Sequence, residues 1–351
     1  MKLILPEQIT EAQYKAYLED WGTERIVPIA SANPKGLSFE DWRAESIKRR
    51  VRVPKGYVPE TLFFLTDDQE TKLFGAVDIR HALNDYLLQF GGHIGYGIVP
   101  SERHKGYAKI QLALTLPIAH AMGLQKVLIT CADTNTGSAK TIESAGGVLE
   151  NKVEEDGVLM RRYWVQTSLE TLETERLTLR PWTIKDAPAM YACAVNPKVG
   201  PAAGWVPHKS IEETEALLEN WVGHGETIWA VTEKSSGLVI GSIGLHKDAA
   251  RSDPRSRMIG YWLREESWGQ GYMPEAVNRL TRYAFENLCM QVISIKHYKS
   301  NRNSRRVIEK CGYHYEGTVR GAGISVFGTH EDDVLWSMTR KEYFAGKEAK
   351  A

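Results

Sequence analysis

The feature that most constrains this chain is that it repeats itself. Ile94-Gly95-Tyr96 recurs as Ile259-Gly260-Tyr261, and Gly106-Tyr107 as Gly271-Tyr272, both at an offset of 165 residues. Further on the offset becomes 166, and Asn135, Ser138, Ile142, Glu143 and Gly146 reappear as Asn301, Ser304, Ile308, Glu309 and Gly312. Upstream, the run Gly75 to Ile79 aligns with Gly241 to Leu245, again at 166. Chance supplies single matches of this kind but not an ordered series, and a drift of one residue is a loop insertion. The chain is a duplication. Its 351 residues suit two domains better than one core. The boundary is expected in the polar stretch 166–175, giving domains 1–168 and 172–346, with a charged tail from Lys341 that should fray.

Charge narrows the partners. Lys plus Arg and Asp plus Glu number 44 each, so no net field favours nucleic acid or an anionic membrane. No apolar run reaches the ~18 residues of a membrane helix, and the opening ten residues hold too short an apolar stretch for a secretion signal. Cys131, Cys193, Cys289 and Cys311 show no CxxC spacing, which predicts buried free thiols, no metal site and a cytoplasmic protein.

Each copy reads as strand, glycine-bearing turn, helix, strand, helix. In the first, residues 93–99 form a strand, 101–106 a turn and 107–122 a helix, with a strand at 127–130 and a short helix at 138–145. In the second, 258–263 is the strand, 268–271 the turn, and Ala276, Val277, Leu280, Tyr283, Ala284 and Leu288 space one helical face. Pro117 conflicts with the first long helix, where it costs about 3 kcal/mol unless the helix kinks or restarts. The chemistry should sit at the turns, Arg103-His104-Lys105-Gly106-Tyr107-Ala108 and Trp268-Gly269-Gln270-Gly271-Tyr272-Met273. A polar turn feeding a helix N-terminus presents unpaired N–H groups to a phosphate, and glycine lets the backbone approach it closely. A plain strand–turn–helix corner looks the same locally. Neither a GxxxxGK[ST] loop nor a GxGxxG turn after a strand is present, so the two common nucleotide sites are excluded.

These residues resemble the GNAT family, the Gcn5-related N-acetyltransferases, whose pyrophosphate motif is [QR]-x-x-G-x-[GA]. Arg103, Gly106 and Ala108 match it fully; Trp268, Gly271 and Met273 match only at the glycine. The second copy is nevertheless similar to the RimJ/RimL-like branch. It carries Glu175-Arg-Leu-Thr-Leu-Arg180, the run Gly260 to Leu263, Trp268 to Ala276, Asn301-x-x-Ser304 through Tyr313, and a closing Asp332 to Ser337. The first copy resembles a less characterised GNAT branch. The resemblance implies an α+β fold of α/β-sandwich type, twice over: a mixed, mostly antiparallel sheet splayed between its fourth and fifth strands and flanked by helices. It implies acetyl-CoA as co-substrate, its pantetheine paired with residues 95–99 and 260–263, Ile98, Val99 and Leu263 among them. Residues 103–108 and 268–273 would hold the pyrophosphate, and Asn135 and Asn301 the pantetheine arm, although an Asn there also serves as a helix N-cap.

The implied reaction is direct attack of an amine on the acetyl thioester. Many family members place a Glu base immediately before the Ile/Val-Gly-Tyr segment; here the position holds His93 and Met258. His93 can act as a base or be a hydrogen-bonded strand-end residue. In the second copy His246, and after it Asp248, are the nearest substitutes. The family's thiolate-protonating Tyr is replaced by Ile142 and Ile308, leaving Ser138 and Ser304 as donors or the thiolate to leave unaided. The acceptor, a protein N-terminus or a small-molecule amine, should meet residues 31–59 in the first copy and 199–210 with Trp221 and Trp229 in the second. Two functions stay open: an active transferase, monomeric or homodimeric, or an acyl-CoA sensor or scaffold in which one or both copies are inactive. The full motif and His93 make the first copy the expected better catalyst.

Overall fold

The computed structural model describes residues 1–224 and 226–349, with the backbone alone at residues 29 and 30. They form two compact units, Met1–Ser168 and Leu169–Ala351. The first has strands β1 (Lys2–Ile4), β2 (Glu60–Thr66), β3 (Leu73–Arg80), β4 (Ile94–Ile98), β5 (Lys126–Ala132), β6 (Val148–Glu155) and β7 (Val158–Gln166). Its helices are α1 (Glu11–Trp21), α2 (Ile29–Ala32), α3 (Phe39–Lys48), α4 (Tyr107–Ala121) and α5 (Thr136–Ser144). The second has strands β8 (Leu172–Glu173), β9 (Leu177–Pro181), β10 (Ile228–Glu233), β11 (Val239–Lys247), β12 (Ser256–Leu263), β13 (Val292–Tyr298), β14 (His314–Ile324) and β15 (His330–Thr339). Its helices are α6 (Ala187–Ala194), α7 (Gly200–Ala203), α8 (Ile211–Gly223), α9 (Tyr272–Glu286), α10 (Arg302–Lys310) and α11 (Arg340–Glu348).

Both units are α+β, with sheets antiparallel except at one junction. In the first unit β1-β2-β3-β4 form one sheet and β5-β7-β6 another; in the second, eight strands run β14-β15-β13-β12-β11-β10-β9-β8. Helices cover these sheets, so central strands are buried throughout: all seven residues of β2 are buried, Glu60, Thr61 and Thr66 included. Tyr14, Tyr17 and Trp21 of α1 and Trp42 of α3 pack with Phe64 and Val99. In the second unit Met190 and Leu218 pack on Ile228, Ala230 and Val239. Each such fully buried side chain contributes about 1.5–3 kcal/mol. The stripe read on α9 is buried as its period requires, from Ala276 to Ala284. No described helix is long and apolar enough to cross a membrane.

Pro117 neither ends nor restarts its helix; α4 runs through it unbroken to Ala121. Tertiary packing overrides the local preference, because Leu112, Thr115 and Ile118 on either side are buried.

One junction organises each unit, between β4 and β5 in the first and between β12 and β13 in the second. In the second, β12 pairs parallel with β13 from Ser256 to Ile259, and the strands then part, leaving Gly260–Leu263 open on that edge. In the first, β4 and β5 share no ladder and are clasped by one residue. His93 N–H donates to Leu128 O at 2.7 Å, and Leu128 N–H donates back to His93 Nδ1 at 2.9 Å. The imidazole thus supplies the acceptor that a strand partner otherwise would.

This corrects the expectation of a base at His93. With Nδ1 accepting from the backbone, the neutral ring carries its proton on Nε2 and has no free lone pair for a substrate proton. Burial, with help from the Arg80 charge, pushes its pKa down to about 4. Between pH 6.5 and about 4 the unfolded chain therefore binds a proton here that the folded chain does not, and stability should fall as pH drops through that window. His93→Ala should cost about 1–3 kcal/mol at pH 7.5 by stranding the Leu128 N–H. The penalty should shrink at pH 5 in thermal melts; a penalty unchanged with pH would count against the clasp. Gln111 offers a second test. It is fully buried in α4, and neither polar atom of its amide has a partner among the described residues. Gln111→Met, of similar shape, should raise stability by about 1–2 kcal/mol in denaturant titrations.

Candidate active site

The two turns share one backbone design. A short 3-10 turn, Pro100–Glu102 or Glu265–Ser267, follows β4 or β12. Two left-handed residues one apart then lead into the helix: His104 (φ 63°) and Gly106 (φ 85°), or Gly269 (φ 76°) and Gly271 (φ 82°). Histidine is among the few non-glycine residues that tolerate this region. The amides of residues 104–108 and 269–273 find no protein acceptor among the described residues. They sit at the positive end of a fifteen-residue helix, which suits a pyrophosphate.

The departure from the motif at Trp268 is smaller than its letters suggest. Arg103 Nε donates to Ile98 O at 3.2 Å, and Trp268 Nε1 donates to Leu263 O at 2.7 Å. Both side chains tie the turn to the last residue of the preceding strand. Arg103 is further held by Glu24 at 2.8 Å and lies over the Trp21 ring. Lys105 pairs with Glu102 at 2.9 Å, and Gln270 is held by Glu266 O at 2.8 Å.

In the second copy the turn opens into a cavity of about 410 Å³. The lining comprises Gly269, Gly271, Tyr272 and Met273 of the turn and helix start, Leu263 and Tyr261 of β12, and Ser304, Arg306 and Lys310 of α10 with its cap Asn301. Across the strand opening, Tyr261 Oη and Ser304 Oγ are 2.7 Å apart; Tyr96 Oη and Ser138 Oγ repeat the pair at 2.9 Å. Burial pushes the Tyr96 phenol up to about 12 and the Tyr261 phenol higher still. Sequence reasoning passed over both tyrosines, although the recurrence of Gly-Tyr with a Ser at matching offset was the available signal. Asn135 and Asn301 cap their helices, accepting the N–H of Ser138 and Ser304 at 3.0 Å each. Asn301 Nδ2 also donates to Ala202 O at 3.0 Å, tying α7 to the site.

The acceptor sides differ between copies. In the second, His246 lies over the bare backbone of Gly244 and Gly260; a Cβ on Gly260 would come within 3.0 Å of its Nε2. No described residue hydrogen-bonds its ring. Burial pulls its pKa down while Glu226 pulls it up. Asp248 is occupied, gripped by Ser294 at 2.7 Å and Arg251 at 2.7 Å, so it serves the fold. Val199, Ala202 and Ala203 of the expected acceptor segment reach the cavity, together with Trp262. Trp229 does not: it is fully buried, with Nε1 on Glu170 O. Trp221 packs beside Trp182.

In the first copy the equivalent of Gly244 is Asp78 and that of His246 is Arg80. Asp78 is buried and accepts from Gly95 N–H at 2.9 Å and from Ser31 Oγ at 3.1 Å. Burial and the neighbouring Asp78 raise the Glu60 pKa, opposed by Arg49 and Arg80. Where the second copy has Trp262, the first has Gly97, and a Cβ there would lie 2.7 Å from Val27 O and 3.2 Å from the Trp21 ring. That face of β4 is filled by protein.

Known proteins resemble this chain. The family profile described as an acetyltransferase (GNAT) domain matches residues 5–148 and 176–314. An N-acetyltransferase of Bacillus subtilis, YoaA, is 30% identical over 153 residues, 42% of this chain and 85% of that one. YdaF of the same organism, whose name carries a provisional assignment to ribosomal N-acetylation, is 36% identical over 108 residues, 30% of this chain and 57% of that one. A GCN5-related N-acetyltransferase from Brucella melitensis, of known structure, matches over 51% of this chain and 83% of that one, with a TM-score of 0.46 and 21% identity. The chain belongs to the GNAT acetyltransferases, and it carries their domain twice.

Proposed function

We propose that this protein transfers an acetyl group from acetyl-CoA to a primary amine by direct attack, and that the second copy is the working catalyst. The observation that carries this is the 410 Å³ cavity joining the phosphate turn, the open edge of β12 and the Tyr261–Ser304 pair in one space. The unbonded amides of 269–273 would hold the pyrophosphate, and the free edge at Gly260–Leu263 would pair with the pantetheine amides. His246 is the base. Its free lone pair takes the ammonium proton past Gly260, whose missing side chain leaves the passage clear. The amine then attacks the carbonyl carbon, the C–N bond forms as the C–S bond breaks, and Tyr261, backed by Ser304, protonates the thiolate and regains its proton as the new amide nitrogen sheds its surplus one.

The first copy keeps the phosphate turn and the Tyr96–Ser138 pair. Its imidazole is committed to the clasp, and its acceptor face is filled by Asp78, Val27 and Trp21. It would be a CoA-binding copy with little turnover, the reverse of the preference drawn from the motif alone.

Blocking each phosphate turn separates the copies. Gly271→Glu puts a side chain at φ 82° and a negative charge into the anion nest, and should lower CoA release more than 10²-fold on a panel of amines. Gly106→Glu should leave turnover within about threefold; equal losses would overturn the assignment. His246→Gln should lower kcat by about 10²–10⁴-fold with little change in the KM for acetyl-CoA. Because burial lowers its pKa, the acidic limb of the wild-type kcat/KM profile should fall below pH 6.5 and vanish in the variant. A limb that persists would remove His246 from the chemistry.

A further inference from the structure

We propose that Arg306 and Lys310 form a seat for a phosphomonoester beside the pyrophosphate turn of the second copy. That copy would then select CoA carrying its ribose 3′-phosphate, while the first copy would not. The inference rests on the acetyl-CoA reading of the cavity.

Helix α10 spans the cavity from one chemical end to the other. Ser304 marks the thioester end through its bond to Tyr261. The other end is fixed beside the phosphate turn, where Cys311 Sγ donates to Pro274 O in the first turn of α9 at 3.6 Å. Arg306 and Lys310 lie between, one helical turn apart on the same face and ~6 Å along the axis. Both line the cavity, whose lining holds no Asp or Glu. Neither pairs with a carboxylate among the described residues, whereas their neighbour Arg305 is held by Glu309 at 2.8 Å. Two like charges one turn apart repel, and that repulsion is relieved when an anion sits between them. The amides of the turn already provide for a pyrophosphate, so these cations have capacity for a further dianion at the same end.

The first copy makes the contrast. The positions of Arg306 and Lys310 are Lys140 and Ser144. Over the whole helix, α10 carries Arg302, Arg305, Arg306 and Lys310 against Glu309, while α5 carries Lys140 against Glu143. The duplication preserved the cap, the serine and the buried isoleucine of this helix and changed its charge.

Calorimetric titration of the full chain with acetyl-CoA and with 3′-dephospho-acetyl-CoA tests this without an acceptor amine. The wild type should show one site that binds the dephospho form about 5- to 30-fold more weakly, with the gap closing as salt is raised. In the double variant Arg306→Gln, Lys310→Gln, acetyl-CoA should weaken by the same factor while the dephospho form is unchanged. Equal affinity of the wild type for both ligands overturns the seat, and so does discrimination that survives the double substitution. The wild-type comparison stands even if the variant folds poorly. Absence of any acetyl-CoA binding would instead remove the cofactor reading on which the seat rests.

Discussion

The interruption of hydrogen bonding between β4 and β5, and between β12 and β13, governs this structure. A sheet ordinarily satisfies every backbone N–H and C=O in its interior, and an unpaired group away from water is costly. Here the pairing stops at Ile259 and Ile295, and Gly260–Leu263 keeps a free edge inside the unit. The phosphate turn follows that strand directly, and the helix bearing Ser304 follows the strand that diverges from it. Opening the sheet therefore places an anion nest, an extended edge and a hydroxyl pair around one space.

The copies hold the opening in different ways. The second uses a short parallel ladder, which leaves Met258 free of any special task and the neighbouring His246 unbonded. The first uses the His93 ring as a clasp, which consumes the lone pair that catalysis would need. A buried acid–base network of Asp78, Glu60, Arg49 and Arg80 then occupies the acceptor side. Duplicated scaffolds diverge easily in this manner, because the backbone features that bind a common ligand do not depend on the side chains that move protons.

Much of the fold was legible in the residues. The repeat implied two units, the 3.6-residue spacing placed α9, and the glycines of the turns marked left-handed corners. Pro117 misled locally, since its penalty is outweighed by the buried residues around it. Within the site, the turns and the Asn-x-x-Ser caps were readable because they are local, set by residues a few positions apart. Tyr96 and Tyr261 were missed because each meets its serine more than forty residues away. Trp268 read as a broken motif, yet its indole N–H reaches the carbonyl that Arg103 reaches in the other copy.

The sequence by itself determined that there are two copies of one fold, that each has a glycine-bearing turn feeding a helix N-terminus, and that the charge is balanced. These follow from composition, period and backbone preference, which act over short distances along the chain. Only the tertiary structure decided which histidine has a lone pair to give, which acceptor face is filled, and which cations stand unpaired at a cavity wall. Those properties belong to side chains brought together from separate strands and helices. A residue's letter fixes what it can do, and its neighbours in space fix whether it is free to do it.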